Sequence, residues 1–171
     1  GDIELAETLR SHLIEKMKDH ELFLKHLADM AVQLRPPLGF FKTFVVEKSG
    51  EHKDELNLKF KCIAPFIDIV RLYSLEMGVR ETATLERIDA LKDAHPVVRE
   101  FGEDMRQVFD FLMLLRIHHQ YEQIESGKEP DNFINPNSLT NLEKKTLKEA
   151  CRGISRIQDA ISKQYQPGTV M

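Results

Sequence analysis

Apolar residues along this chain recur at helical spacing almost from end to end. Leu5, Leu9, Leu13 and Met17 repeat every fourth residue, which predicts a helix over 3–17. Phe23, Leu27, Met30, Ala31 and Leu34 share one side of a second helix over 21–34. Arg35-Pro36-Pro37 stops it, because a residue before proline resists the helical region. Residues 35–60 carry two further breaks, Gly39 and Gly50, and form one long irregular loop in which Phe44-Val45-Val46 reads as a short strand. Pro65 opens a third helix, ended by Gly78 as a left-handed cap after Met77. Thr82 or Thr84 caps a short helix through Leu91. A long helix follows from Pro96 or Glu103 to Ser126. Between Phe109 and Ile117 it is apolar on nearly every side, the pattern of a central helix. Thr140 and Glu143 form a capping box ahead of the last helix, which runs to about Tyr165. The sum is an all-α chain: an antiparallel bundle of five or six helices with one elaborate loop over 35–60.

Two polar residues interrupt this pattern. Met105, Val108, Phe109 and Leu112 lie on one stripe of the long helix, and the stripe continues into Arg116, His119, Gln120 and Gln123. In the last helix Leu147, Cys151, Ile154, Ile161 and Tyr165 share a face, with Gln158 in its middle. A buried guanidinium or amide is costly unless paired. These residues either tie helices together or line a site.

Composition narrows the classes without adding chemistry. The 171 residues carry 24 basic and 28 acidic side chains, a net charge of −4, so a nucleic-acid surface is not expected. No apolar run spans a bilayer and no signal peptide opens the chain. Cys62 and Cys151 give neither a disulfide framework nor a metal spacing, which points to a reducing cytoplasm. None of the seven histidines stands in a metal-ligand pattern, and adjacent His118 and His119 diverge by about 100° on a helix. Phosphate-loop, dinucleotide and nucleophile-elbow motifs are missing, and no catalytic constellation emerges. A basic set remains: Arg35, Lys59, Arg71, Arg87 and Arg116, each beside apolar or turn residues. Such arginines converge on an anion, or pair with Asp68, Asp89, Asp110 or Glu86. Charge patterning alone favours the pairs.

The segments RPPLGFF, EKSGEHKDELNLKFK, PFIDIVRLYSLEMG, TATLERIDAL, FLMLLRIHHQYEQIESG and PDNFINPNSLTNLEKKTLKEA follow one another in the order of a known helical family. The chain resembles the nucleotidyltransferase substrate-binding domain that ends bacterial signalling proteins with cyclic-nucleotide-binding and CBS modules. Arg35, Pro37, Gly39, Phe40, Gly50, His52, Lys59, Arg71, Arg87, Arg116, His119, Gln120, Asn132, Pro136 and Gln158 fit the family pattern. Asn57 stands where the family often has aspartate. The resemblance implies that 1–171 is a helical domain at the C-terminal end of a longer polypeptide. Upstream it implies a DNA-polymerase-β-like nucleotidyltransferase, related to PII uridylyltransferases, in which Mg²⁺ and a nucleoside triphosphate are expected, with no cofactor expected in this chain. The expected role is accessory: positioning acceptor or nucleotide, with Arg35, His52, Lys59, Arg71, Arg87, Arg116, His119, Gln120 and Gln158 as candidate substrate-binding residues. The expected partners are that upstream domain, an acceptor protein and a second copy of the chain. The rival expectation is a non-catalytic interaction or dimerisation module that relays a signal from the sensor domains.

Overall fold

A computed structural model of the protein describes residues 3–17, 20–39 and 43–165; the Phe40 position lies outside them. Six α-helices account for most of the described residues: α1 (Ile3–Met17), α2 (Glu21–Gln33), α3 (Ala64–Glu76), α4 (Thr84–Leu91), α5 (Pro96–Glu125) and α6 (Asn141–Tyr165). Two short strands, β1 (Leu56–Asn57) and β2 (Phe133–Ile134), pair antiparallel with Leu56 opposite Ile134. The all-α expectation holds, with this small ribbon added.

The helix boundaries follow local chemistry. At the end of α3, Gly78 takes φ +68 and Val79 N–H donates back to Ser74 O at 2.8 Å, the left-handed cap that a side chain would strain. Gly127 closes α5 in the same way, with Lys128 N–H on Gln123 O at 2.9 Å. The capping box of α6 forms as expected. Thr140 N–H donates to Glu143 Oε2 at 2.8 Å, and Glu143 N–H to Thr140 Oγ1 at 3.2 Å.

Three features differ from the sequence reading. Neither Thr82 nor Thr84 caps α4: Ala83 holds the N-cap position without a side-chain hydrogen bond, and Thr84 is already the first helical residue. The third helix begins before Pro65, through a π-helical turn over Lys59–Ile63 in which Ala64 N–H reaches Lys59 O. Proline has no N–H to give, and its ring collides with the carbonyl four residues back in a regular helix. A wider turn ahead of Pro65 relieves both problems. The strand expected at Phe44-Val45-Val46 reduces to one bridge, Phe44 with Leu38, leaving Val45 exposed.

The core lies where α2, α3, α5 and α6 meet. Phe66, Ile69, Leu72, Tyr73, Met105, Leu112, Leu147, Ile154 and Ile161 are all sealed from solvent there. The thiols of Cys62 and Cys151 face each other inside it, 3.7 Å apart and reduced. Their mutual hydrogen bond, then burial, push the Cys62 thiol well above its ordinary range. Helix α1 sits at the edge against α2 and α3, with Met17 its buried residue. Helix α5 is less central than its composition implies. Val98, Met105, Leu112 and Leu115 are buried, but Leu114, Ile117, Tyr121 and Ile124 on its outer face are 56–67 % exposed.

Candidate functional site

The nine candidate residues do not converge on one cleft. They fall into three groups, each tied to a different part of the fold.

The first group clasps a loop. Arg116, Gln120 and Gln123 stand on one face of α5, four and three residues apart, and face the segment that leads into β2. Arg116 Nε donates to Asn132 Oδ1 at 2.7 Å and Gln120 Nε2 to Asp131 O at 3.0 Å, while Asp131 N–H donates to Gln123 Oε1 at 2.9 Å. His119 Nε2 is buried without a hydrogen bond and points at Asp131 Oδ1 from 3.7 Å. Burial raises the Asp131 carboxyl, but the Phe133 N–H and Gln123 outweigh it and hold it below its usual range. His52 joins from the other side, stacked flat on Phe133 with ring centres 3.5 Å apart and its Nδ1 2.9 Å from Glu55 Oε2. Leu58 N–H closes the ribbon on Asn132 O at 2.8 Å, and Lys59 follows, exposed at the start of the π-helical turn. Asn57 accepts from Phe60 N–H at 2.9 Å, a bond that an aspartate would also make.

The second group is cationic. Arg71 on α3 pairs with Asp68 at 2.9 Å, the ion pair that charge patterning favours. Arg87 on α4 has no carboxylate partner among the described residues. Its Nε donates to Glu81 O at 2.8 Å. Burial, and the positive charges of Arg71 and Arg10, lower its guanidinium below the ordinary arginine value. Arg87 borders a groove of about 260 Å³ between α1 and the α3–α4 connection, lined by Leu9, Leu13, Leu75 and Val79, with Arg10, Arg80 and Glu81 as its other charged residues. Glu7 answers both of these arginines, at 2.7 Å from Arg10 and 3.0 Å from Arg80. Sequence reasoning missed Arg10 and Arg80. The sequence signal for Arg10 is its place beside Leu9 on α1, next to the leucine stripe.

The third group joins α6 to α2. Gln158 is fully buried and its Nε2 donates to Ala31 O at 2.8 Å and Leu34 O at 2.9 Å, carbonyls that α2 leaves open at its end. Next to it, Arg35 pairs with Asp159 at 2.8 Å on the surface. A further groove of about 280 Å³ runs between α5 and α6 beside Gly153, but Asp104, Glu149 and Arg156 give it mixed charge. Among the described residues no group of three or more His, Cys, Asp or Glu side chains is placed to hold a metal, and no helix is long and apolar enough to cross a membrane.

These features define an all-α bundle, clipped by a two-stranded ribbon and carrying a basic groove. The chain belongs to the family described as "Putative nucleotidyltransferase substrate binding domain", whose profile matches residues 21–165, from α2 through α6. Helix α1 precedes the matched region. No curated protein and no solved structure matches the chain significantly.

Proposed function

We propose that this chain positions an anionic substrate for a nucleotidyltransferase domain of the same polypeptide, within a bacterial signal-transduction protein of the PII-uridylyltransferase-like kind. Family membership supports the accessory role. One observation carries the location: Arg87 is a partly buried guanidinium without a carboxylate partner among the described residues, at an apolar-floored groove and near enough to Arg71 and Arg10 to feel their charges. Like charges held together repel, and an incoming anion relieves that repulsion. Arginine's planar fork suits phosphate or carboxylate oxygens, and the leucine floor suits a base or an aromatic side chain. Holding the acceptor or nucleotide in place is a large share of what phosphoryl-type transfer requires, because the protein contributes mainly position and charge. The Mg²⁺ and the groups that activate the triphosphate belong, in this reading, to the upstream domain, while the groove holds the anionic end of the nucleotide or the acceptor.

Calorimetric titration of the chain with ATP, UTP, GTP and CTP in Mg²⁺ tests the proposal, repeated on Arg87→Ala and Arg116→Ala. Saturable binding that Arg87→Ala abolishes is the expected result. Binding that survives Arg87→Ala and vanishes in Arg116→Ala would move the site to the ribbon. No binding to any nucleotide would remove the nucleotide from this domain.

A further inference from the structure

Two nucleophilic side chains take no part in the groove or in the ribbon contacts. Cys62 and Cys151 stand 89 residues apart along the chain, yet their sulfurs meet at 3.7 Å, with both side chains sealed from solvent. A disulfide draws two sulfurs to about 2.05 Å, and here they already face each other. The chain has no third cysteine to compete for either one.

The two thiols differ in how solvent can reach them. Cys151 stands well inside α6, a helix of 25 residues, and its neighbours Leu147, Ala150 and Ile154 are buried with it. Cys62 stands in the π-helical turn Lys59–Ile63, beside exposed Lys59 and beside Phe60, which is 52 % exposed. Pro65 has no N–H to give this turn, so fewer backbone bonds hold it than hold a regular helix. A short, thinly bonded segment opens at lower cost than a long packed helix. Opening the turn brings Cys62 to water while α6 stays in place. In water the thiol recovers the acidity that the core denies it, and the thiolate is the reactive form.

We propose that Cys62 and Cys151 are an oxidation site, at which hydrogen peroxide produces an intramolecular disulfide that fastens the π-helical turn to α6, with Cys62 attacked first and Cys151 resolving it. The Cys62 thiol gives its proton to water, and its sulfur takes one oxygen from the peroxide. The O–O bond breaks, the sulfur becomes a sulfenic acid, and the other oxygen leaves as water. When the turn closes again, the Cys151 sulfur attacks the sulfenic sulfur. The S–S bond forms, the S–O bond breaks, and the hydroxyl leaves as water with the Cys151 proton. Two electrons pass from the two thiols to one peroxide, and two waters result. The finished bond shuts the opening that exposed Cys62. The site shares no residue with the groove at Arg87 and does not depend on it.

Hydrogen peroxide added to the folded 171-residue chain, followed by intact mass and a non-reducing peptide map, tests this. The expected product is a single chain lighter by two hydrogen atoms, with one cross-linked peptide pair holding Cys62 and Cys151 that a reductant separates. Cys151→Ala is expected to stop at a Cys62 sulfenic acid, which dimedone captures. Cys62→Ala is expected to react at least about tenfold more slowly, because Cys151 must wait for a larger opening. Amide exchange on the parent chain needs no variant. It is expected to be faster over 59–63 than over 147–155, and to slow over 59–63 once the disulfide has formed. Two free thiols in the folded chain, at a peroxide dose that oxidises the urea-unfolded chain, would overturn the proposal. Oxygen atoms gained without a cross-link, or disulfides between chains, would overturn it too. Equal rates in the two alanine variants, or exchange over 59–63 as slow as in α6, would overturn the order of attack.

Discussion

Gln158 shows how the bundle is closed, and replacing it gives a sharp test. Its side chain is fully buried, and its amide nitrogen satisfies both Ala31 O and Leu34 O. Leucine at this position keeps most of the shape and removes both donors. Each lost hydrogen bond costs about 1 kcal/mol net, and a buried carbonyl left without a partner costs about 1–3 kcal/mol. One return offsets this. Gln158 Oε1 has no partner in the folded protein, and leucine removes that buried oxygen. The balance for Gln158→Leu is a loss of about 2 kcal/mol, or about 4–8 °C in Tm for a chain of this size. Gln158→Glu should be worse, because a carboxylate turns acceptors toward two carbonyls in a dry interior. Urea unfolding followed by circular dichroism measures both, with an unchanged m value showing that the comparison is fair. A leucine variant as stable as the parent, or a glutamate variant milder than leucine, refutes the account.

Glu76 couples the fold to acid. Burial raises its carboxyl, but hydrogen bonds from His95, Tyr165 and Gln164 outweigh burial and hold it below its ordinary value of 4.5. The ionised form therefore stabilises the fold fully above that ordinary value, and the contribution is lost as pH falls through the lower folded value. Glu76→Gln is expected to flatten this part of the acid limb in a stability-against-pH series, and an unchanged limb would contradict it. Arg116→Ala releases Asn132 and is expected to speed amide exchange at Leu58, whose N–H donates to Asn132 O, while the helices keep their protection. Loss of the whole fold in that variant would show that the ribbon is not a local unit.

Reading the chain by its apolar spacing locates the helices because that signal is local. The capping box at Thr140 and the glycine cap at Gly78 are local too, and both form. The same reading marks Arg116 and Gln158 as misplaced in apolar stripes, and both are held by hydrogen bonds that account for them. Their partners were beyond reach. Asn132 lies 16 residues from Arg116, and Ala31 lies 127 from Gln158. Pairing over such distances is set by how the helices stack. The ribbon was hidden for a related reason: two residues per strand leave no alternation to detect. Arg71 and Arg87 could be singled out from sequence, but the nearness of Arg87 to Arg10 depends on how α1 lies against the bundle. The outer face of α5 misled the reading in the opposite direction, since composition reports that a helix wants cover and not whether its own chain supplies it.

The bond from Gln158 to the end of α2 also sets a timetable for the newly made chain. Helix α2 leaves the ribosome before α6, and the residue that satisfies its last carbonyls arrives only with α6, more than 120 residues later. Ile154, Ile157 and Ile161, which close the core, arrive with it. Until then the early helices have an open apolar side and an unfinished end. The fold is therefore completed in one late step, and a chain halted before α6 is a target for chaperones and proteases instead of a smaller version of the same structure.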